Sequence, residues 1–352
     1  MAYVAVSGGK EAIEESIKLL EFYKSGTDLE IEIETIEHKL ALLVDRVMSE
    51  AGLYAKSYAA LSLRQCEGCV EEAVFLLRAY RSTLTRNYYT NVVDTTGMRV
   101  VRRISAAFKD IPGGQILGAS YDYTHRLIHF DSNTTDTRAE IKNTLSAQFP
   151  EEVSRCPRVS DELREEGLID TYETDNTAPH DITMNMLEFP TNRSARLQTL
   201  TRADTGFISG LAYSSLRGFG QVHPTVGELR TGYVELTVPY ASDTDEEIYI
   251  GEILLTEVEG FNSDDDTDQL KLSVGYGAVF GRNENKAIAM AVLDHALNHE
   301  APYPAHDEEF VLTHGDSLEM NGFISHLKLP HYITFQSKLD AVRKTRKEEA
   351  NP

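Results

Sequence analysis

Apolar residues recur at helical spacing through the first third of the chain. Ile13, Ile17 and Leu20 share one face of the stretch 11–23. Ile36, Leu40, Leu43, Val44 and Val47 do so over 34–50, and Val74, Leu77 and Leu84 over 71–86, which predicts three amphipathic helices. Ahead of them, residues 3–6 read as a short strand and Ser7-Gly8-Gly9-Lys10 as a turn into the first helix. Glycine and basic residues take over from about 94 to 123. Residues 131–190 are polar and punctuated by Pro150, Pro157, Pro179 and Pro190, the composition of a variable surface region.

The periodic signal returns at 191. A helix is predicted over 193–201, and 232–239 alternates as a strand through Tyr233, Glu235 and Thr237. A second strand region covers 248–258, and a strand at 274–280 feeds a helix at 283–298 with Asn283 as its N-cap. The tail, 338–349, alternates charges like a solvated, fraying helix. Strands separated by helices and long loops, without a βαβ cadence, indicate a mixed α+β fold. The expected organisation is a helical N-terminal region (1–93), a Gly/Arg-rich and variable segment (94–190) and a mixed strand/helix C-terminal region (191–352).

Charge narrows the function. Against 34 Lys+Arg stand 56 Asp+Glu, a net charge of −22, and a polyanion such as nucleic acid would be repelled by most of this surface. The acids come in short bursts, including Asp161-Glu162, Glu165-Glu166, Asp243-Thr244-Asp245-Glu246-Glu247 and Asp264-Asp265-Asp266. A diffuse negative shell is tolerable where salt screens it, so a halophilic, salt-accumulating cytoplasm is expected. With 41% hydrophobic residues the chain builds a real core. No apolar run approaches the ~20 residues of a membrane-spanning helix, and the start lacks the marks of a signal peptide, so a cytoplasmic location without membrane contact is expected. Three cysteines make no disulfide framework.

Several strings carry candidate chemistry. In His326-Leu327-Lys328-Leu329-Pro330-His331 the two imidazoles converge only if the chain turns between them, and Pro330 forbids a continuing helix there. They are then either half of a zinc site or two unrelated surface histidines. His306-Asp307-Glu308-Glu309 and His314 could supply a general acid, with Glu308 or His314 as the candidates, or form a helix N-terminus with its acids at the positive dipole end. Cys66-Glu67-Gly68-Cys69 has the spacing of half a zinc knuckle but reads as an incidental helix-terminal pair. Gly275-Tyr276-Gly277 before a helix favours close backbone packing over nucleotide binding. The cations are grouped: Arg99, Arg102, Arg103 and Lys109, then Arg126, then Arg193, Arg196, Arg202, Arg217 and Arg230. Arginine's planar fork suits phosphate or carboxylate. These groups either clamp a small polyanion or pair with the protein's own acids.

Read together, Asp94-Thr95-Thr96-Gly97-Met98-Arg99, Arg102-Arg103-Ile104-Ser105-Ala106, Lys109-Asp110-Ile111-Pro112-Gly113-Gly114-Gln115 and Tyr121-Asp122-Tyr123-Thr124-His125-Arg126-Leu127 resemble the PhnI family of carbon–phosphorus lyase subunits. Arg217-Gly218-Phe219-Gly220, His223-Pro224, Gly275-Tyr276-Gly277, Asp307-Glu308-Glu309-Phe310-Val311-Leu312 and His326 to Tyr332 match as well. The likeness runs from the first strand to about Phe335 and is weakest across 131–190.

The resemblance implies a chemistry. With PhnG, PhnH and the ATPase-like PhnL, the family displaces adenine from ATP by methylphosphonate, giving α-D-ribose 1-methylphosphonate 5-triphosphate, and alone it acts as a purine nucleosidase. It assembles in two copies with PhnG, PhnH and PhnJ, and the two histidines of its HLKLPH string, His326 and His331 here, bind Zn²⁺ at the PhnI–PhnJ interface. Arg102, Arg103, Lys109 and Arg126, followed by Arg193, Arg196 and Arg217, are then the expected anion clamps. The competing reading is a non-catalytic scaffold that holds PhnJ through a structural zinc.

Overall fold

The structure, a computed structural model, describes residues 9–26, 30–128, 130, 156–169, 177–219, 223–240, 246–264 and 271–350. The strand expected at 3–6, its turn residues Ser7 and Gly8, residues 131–155 of the polar stretch and several of the acidic residues lie outside these.

Helix α1 (Gly9–Lys24) buries none of its residues, so Ile13, Ile17 and Leu20 form an exposed apolar face, and Phe22 is exposed on the opposite side. The predicted run 34–50 is two helices, α2 (Ile33–Lys39) and α3 (Ala41–Ala51). Leu40 breaks them apart with φ −115° and ψ 32°, leaving helical backbone where it turns its side chain to solvent. A helix that the apolar pattern did not announce follows, α4 (Lys56–Gln65), and α5 (Val70–Ser82) ends four residues short of the predicted boundary. Cys66 and Cys69 cap the ends of these two helices and are free thiols. The interior of this unit is Val47, Met48, Ala59, Ala60, Leu63, Ala73, Val74 and Leu77. Its small residues explain the weak signal of α4, because alanine lets helices approach closely while adding little to a hydrophobic count.

The remainder is built on a four-stranded antiparallel sheet in sequential order, β1 (Arg99–Ile104), β2 (Thr225–Pro239), β3 (Glu247–Asp264) and β4 (Lys271–Phe280). Successive side chains of a strand point to opposite faces, and the register sorts them cleanly. Leu229, Val258 and Gly277 stand opposite one another on one face. There α9 (Glu284–Ala296) packs so tightly that a Cβ on Gly275 would sit 2.0 Å from the Ala291 carbonyl oxygen, and one on Gly277 2.2 Å from that of Ala287. Close packing is therefore the role of this glycine pair. Helices α7 (Arg193–Arg202), α8 (Thr205–Ser214) and α10 (Glu308–His314) complete this core with Leu200, Ile208, Met290, Leu293 and Val311.

The opposite face is polar. Arg230 pairs in register with Glu257, Glu228 with Glu259, and Glu259 with Tyr276. Helix α6 (Val159–Glu165), which lies in the stretch read as variable surface, covers it. Val159, Leu163, Ile111, Ile169 and Phe261 seal the contact as a small core of their own. Asn283 precedes α9 as expected, but its side chain donates to the Phe280 carbonyl instead of capping the helix. The chain ends through α11 (Ser317–Ser325), a 3₁₀ turn (His326–Lys328) and α12 (Tyr332–Ala350). Among the described residues no helix is long and apolar enough to cross a membrane.

Candidate functional site

The C-terminal histidines do converge. The 3₁₀ turn and Pro330 reverse the chain, and the two rings meet edge to plane with centroids 5.5 Å apart. His326 turns its Nδ1 to the Phe323 carbonyl, and His331 its Nδ1 to the Leu329 carbonyl at 2.6 Å. A carbonyl oxygen only accepts, so each bonded Nδ1 donates, and neither Nε2 has a hydrogen-bond partner among the described residues, which in the neutral ring makes Nε2 the nitrogen available to a metal. Two imidazoles fit a zinc ion chemically but supply half of a tetrahedron. Among the described residues no group of three or more His, Cys, Asp or Glu stands ready to hold a metal. Around the pair, Phe323, Ile324, Leu327, Leu329, Tyr332, Ile333 and Phe335 are exposed, an apolar collar that water would not favour on an isolated chain.

The predicted clamps fall into two groups. Arg103 has no solvent exposure and donates through Nε to Glu228 Oε1 at 2.5 Å. Its Nη atoms reach the Pro112 carbonyl, the Gly114 carbonyl and the Pro157 carbonyl. Arg102 is buried between Asp122 and Glu284, each 2.7 Å away. Arg196 donates to the Leu297 carbonyl and Asn298 and lies 3.7 Å from Asp294, and Arg193 grips the same buried Asp294 at 2.6 Å. Lys109, Arg126 and Arg217 are exposed, with Arg126 bonded loosely to Asp122 at 3.3 Å. The structure separates Arg102 and Arg103 to opposite faces of β1, sets Arg102 and Arg126 on the same Asp122 carboxylate, and brings Arg193 and Arg196 together on α7 against Asp294. Lys109, Arg126 and Arg217 lie on separate surface segments.

Of the two candidate acids, Glu308 accepts from the Thr191 amide at 3.1 Å and the Thr191 hydroxyl at 2.5 Å, tying the loop before α7 to α10. Asp307 caps α10 by accepting from the Phe310 amide at 2.9 Å, which is the helix-start role weighed for this string. His314, at the other end of α10, is exposed, with Nδ1 against the Phe310 carbonyl at 2.9 Å.

Much of the charge chemistry was invisible to sequence reading. Under α6, Glu257 accepts from Arg230 Nε at 2.9 Å, Tyr276 Oη at 2.8 Å and Thr95 Oγ1 at 2.9 Å, while Arg158 reaches Glu259 at 2.8 Å. Burial works against the Arg158 charge, and Glu257 and Glu259 overcome it, so its pKa rises. Burial and then Glu257 raise that of Tyr276. On the far side of α9, Lys286 is wholly buried and donates to the Ala203 carbonyl at 2.8 Å. Desolvation pulls it down to about 8, with Glu50 partly opposing. The signal available beforehand was period-2 alternation of Glu228/Arg230 and Glu257/Glu259 in strands otherwise apolar, which marks charged residues facing inward.

A groove of about 540 Å³ opens where α2 and α3 meet the sheet, with Arg102, Lys56, Arg282, Tyr233 and Glu284 on its walls. Arg102 is the predicted clamp that lines it.

Comparison with known proteins identifies the lineage. The family described as "Bacterial phosphonate metabolism protein (PhnI)" matches residues 2–349. The alpha-D-ribose 1-methylphosphonate 5-triphosphate synthase subunit PhnI of Escherichia coli K12 is 44% identical over 99% of this chain and 99% of its own length. The protein of the same name from Rhizobium meliloti is 42% identical over 98% of this chain and 95% of its own. With near-complete coverage in both directions, this chain belongs to the PhnI family of phosphonate metabolism proteins.

Proposed function

We propose that this chain is the PhnI subunit of a cytoplasmic carbon–phosphorus lyase complex. In it, adenine is displaced from ATP by methylphosphonate to give α-D-ribose 1-methylphosphonate 5-triphosphate, and the chain alone acts as a purine nucleosidase. The observation that carries the reading is the half-built imidazole pair His326–His331, its Nε2 atoms open and its surroundings apolar. Such a site is completed by a second polypeptide, and a PhnJ-type partner with PhnG, PhnH and PhnL-type subunits and a second copy of this chain are the proposed company. A zinc ion held there would serve as Lewis acid toward a phosphoryl oxygen or as a staple between subunits.

The reaction turns a β-N-glycoside into an α-phosphonate ester, inverting the anomeric centre. One in-line displacement through an oxocarbenium-like transition state accounts for this without a covalent sugar intermediate. The phosphonate is its own nucleophile, so the protein has to neutralise phosphates, exclude water and protonate the departing base. Exposed Lys109, Arg126 and Arg217 retain free donors for the triphosphate, and Arg102 presents its charge at the groove wall. Arg103, Arg193 and Arg196 act by holding β1 and α7 in place. His314 is the better candidate for the acid, because the oxygens of Glu308 are both engaged as acceptors.

A scaffold role is the second reading, favoured by the burial of Arg102, Arg103 and Arg196 among protein acceptors. Mixing the purified chain with its partner subunits, ATP and methylphosphonate separates the two. Free adenine measured by chromatography and the ribosyl phosphonate seen by phosphorus NMR should both require this chain; equal adenine release by the partners alone would leave it a scaffold. Adenine released from ATP by the chain alone tests the nucleosidase activity.

A further inference from the structure

A second cluster of cations lies away from the histidine pair and the groove, where α5 and the end of α7 meet the glycine turn after α3. Gly52 adopts φ +65°, and the guanidiniums of Arg81 and Arg202 close over it. Arg81 Nη1 comes within 2.9 Å, and Arg202 Nε within 3.5 Å, of the point a Cβ would occupy. Arg78 stands behind them, its donors consumed by Asp316 at 2.5 Å, the Glu50 carbonyl at 2.7 Å and the Arg202 carbonyl at 3.1 Å. Arg86 flanks the cluster and is bound to Asp181 and Thr183.

The two front arginines are not compensated in this way. Among the described residues Arg81 makes one long hydrogen bond, 3.3 Å to the Gly52 carbonyl. Arg202 has no acceptor for its guanidinium among the described residues, and its Nε is buried without a partner. Burial, followed by the charges of Arg78 and Arg81, pulls Arg202 down to about 10. The nearby carboxylates, Asp316 and Asp181, are already engaged by Arg78 and Arg86. Side by side, half-buried guanidiniums with free forks repel one another, in a chain whose net charge is −22. Their donors match an oxyanion, and two guanidiniums with no carboxylate bonded to either among the described residues match a dianion better than a single carboxylate.

We propose that Arg81 and Arg202, backed by Arg78, form a binding site for a phosphoryl or phosphonyl dianion. The site does not depend on the reaction proposed above, because it is read out without ATP turnover or partner subunits. The full chain is titrated with inorganic phosphate, with methylphosphonate and with succinate, at ionic strength held constant with KCl, following the thermal midpoint and the heat of binding. Phosphate and methylphosphonate should each raise the midpoint saturably and succinate should not. Arg202→Gln and Arg81→Gln should each weaken phosphate binding by about tenfold or more, whereas exposed Arg99→Gln should leave it unchanged. Without added anion, Arg202→Gln should be at least as stable as the wild type, since it removes like-charge repulsion.

No saturable rise in the wild type would overturn the proposal, as would a rise undiminished in both variants. So would loss of stability in Arg202→Gln with phosphate affinity intact. An equal response to succinate would also overturn it and hand the site to carboxylates, such as those of a partner subunit.

Discussion

Arg103 on β1 and Glu228 on β2 form an ion pair in which both side chains are buried, with 2.5 Å between Nε and Oε1. Glu228 also accepts from the Val159 amide at 3.2 Å, so one carboxylate ties the sheet to the helix that covers it. Removing one partner of such a pair strands the other charge in a low-dielectric interior, at a cost of about 3–5 kcal/mol. Arg103→Ala is therefore expected to unfold at markedly lower denaturant concentration. Arg103 and Glu228 replaced together by apolar residues should recover part of the loss. An Arg103→Ala protein of wild-type stability would exclude this role.

His326→Ala and His331→Ala should each lower the zinc that co-purifies with the assembled complex while leaving the stability of the isolated chain unchanged, because both rings lie outside every core cluster. Elemental analysis of the complexes and thermal unfolding of the free variants check the two halves separately. Wild-type zinc content in both variants would disprove ligation.

Gly277→Ala places a methyl group against the Ala287 carbonyl at 2.2 Å and the Met290 Cβ at 2.8 Å. Backbone cannot yield as a flexible side chain does, so the substitution should cost at least the ~1–3 kcal/mol typical of overpacking. Gly210→Ala, with nothing within 4 Å of its Cβ position on the exposed side of α8, should be neutral or stabilising. Chemical denaturation of the two variants gives the comparison.

Lys286 makes stability depend on pH in the alkaline range. Its folded value is about 8 against an ordinary 10.5, so between those values the unfolded chain holds a proton that the folded chain has lost. Stability should rise with pH across that window by up to about 1.4 kcal/mol per unit, and be flat with respect to this group below it. Lys286→Met should lose that increment. Identical pH profiles for wild type and variant, measured by denaturation from pH 7 to 10, would rule the linkage out.

Net charge −22 on one chain predicts that stability climbs with KCl toward molar concentrations as self-repulsion is screened. A midpoint independent of KCl would remove the ground for expecting a salt-accumulating cytoplasm.

The parts of this fold legible beforehand are those where one apolar face dominates. The cores of α3 and α5 and the strands β2, β3 and β4 follow from period 3.6 or period 2. The HLKLPH turn follows from proline, which ends a helix by losing a donor and clashing with the preceding turn. What stayed hidden are elements whose buried faces are not hydrophobic. Strand β1, Arg-Val-Val-Arg-Arg-Ile, carries Arg103 into the interior, and α4 buries Ala59, Ala60 and Ser62 beside a single leucine, Leu63. The helix break at Leu40 was hidden for a different reason, since an apolar residue continues the pattern in text while its backbone departs from it.

The candidate site divides along the same line. Its cations are plain in the sequence as a list, yet whether each serves a ligand or a neighbour depends on which carboxylates the fold carries to it. Glu228 and Asp294 lie far along the chain from Arg103 and Arg193, and antiparallel pairing and helix packing bring them together. Residue order alone determined the family, the acidic surface, the periodic helices and strands and the local turn that joins His326 to His331, because all of these rest on short-range spacing or on composition. Tertiary structure alone decided which arginines are spent inside the protein and which remain open, because charge compensation is a matter of distance in space, and spacing along a chain does not encode it.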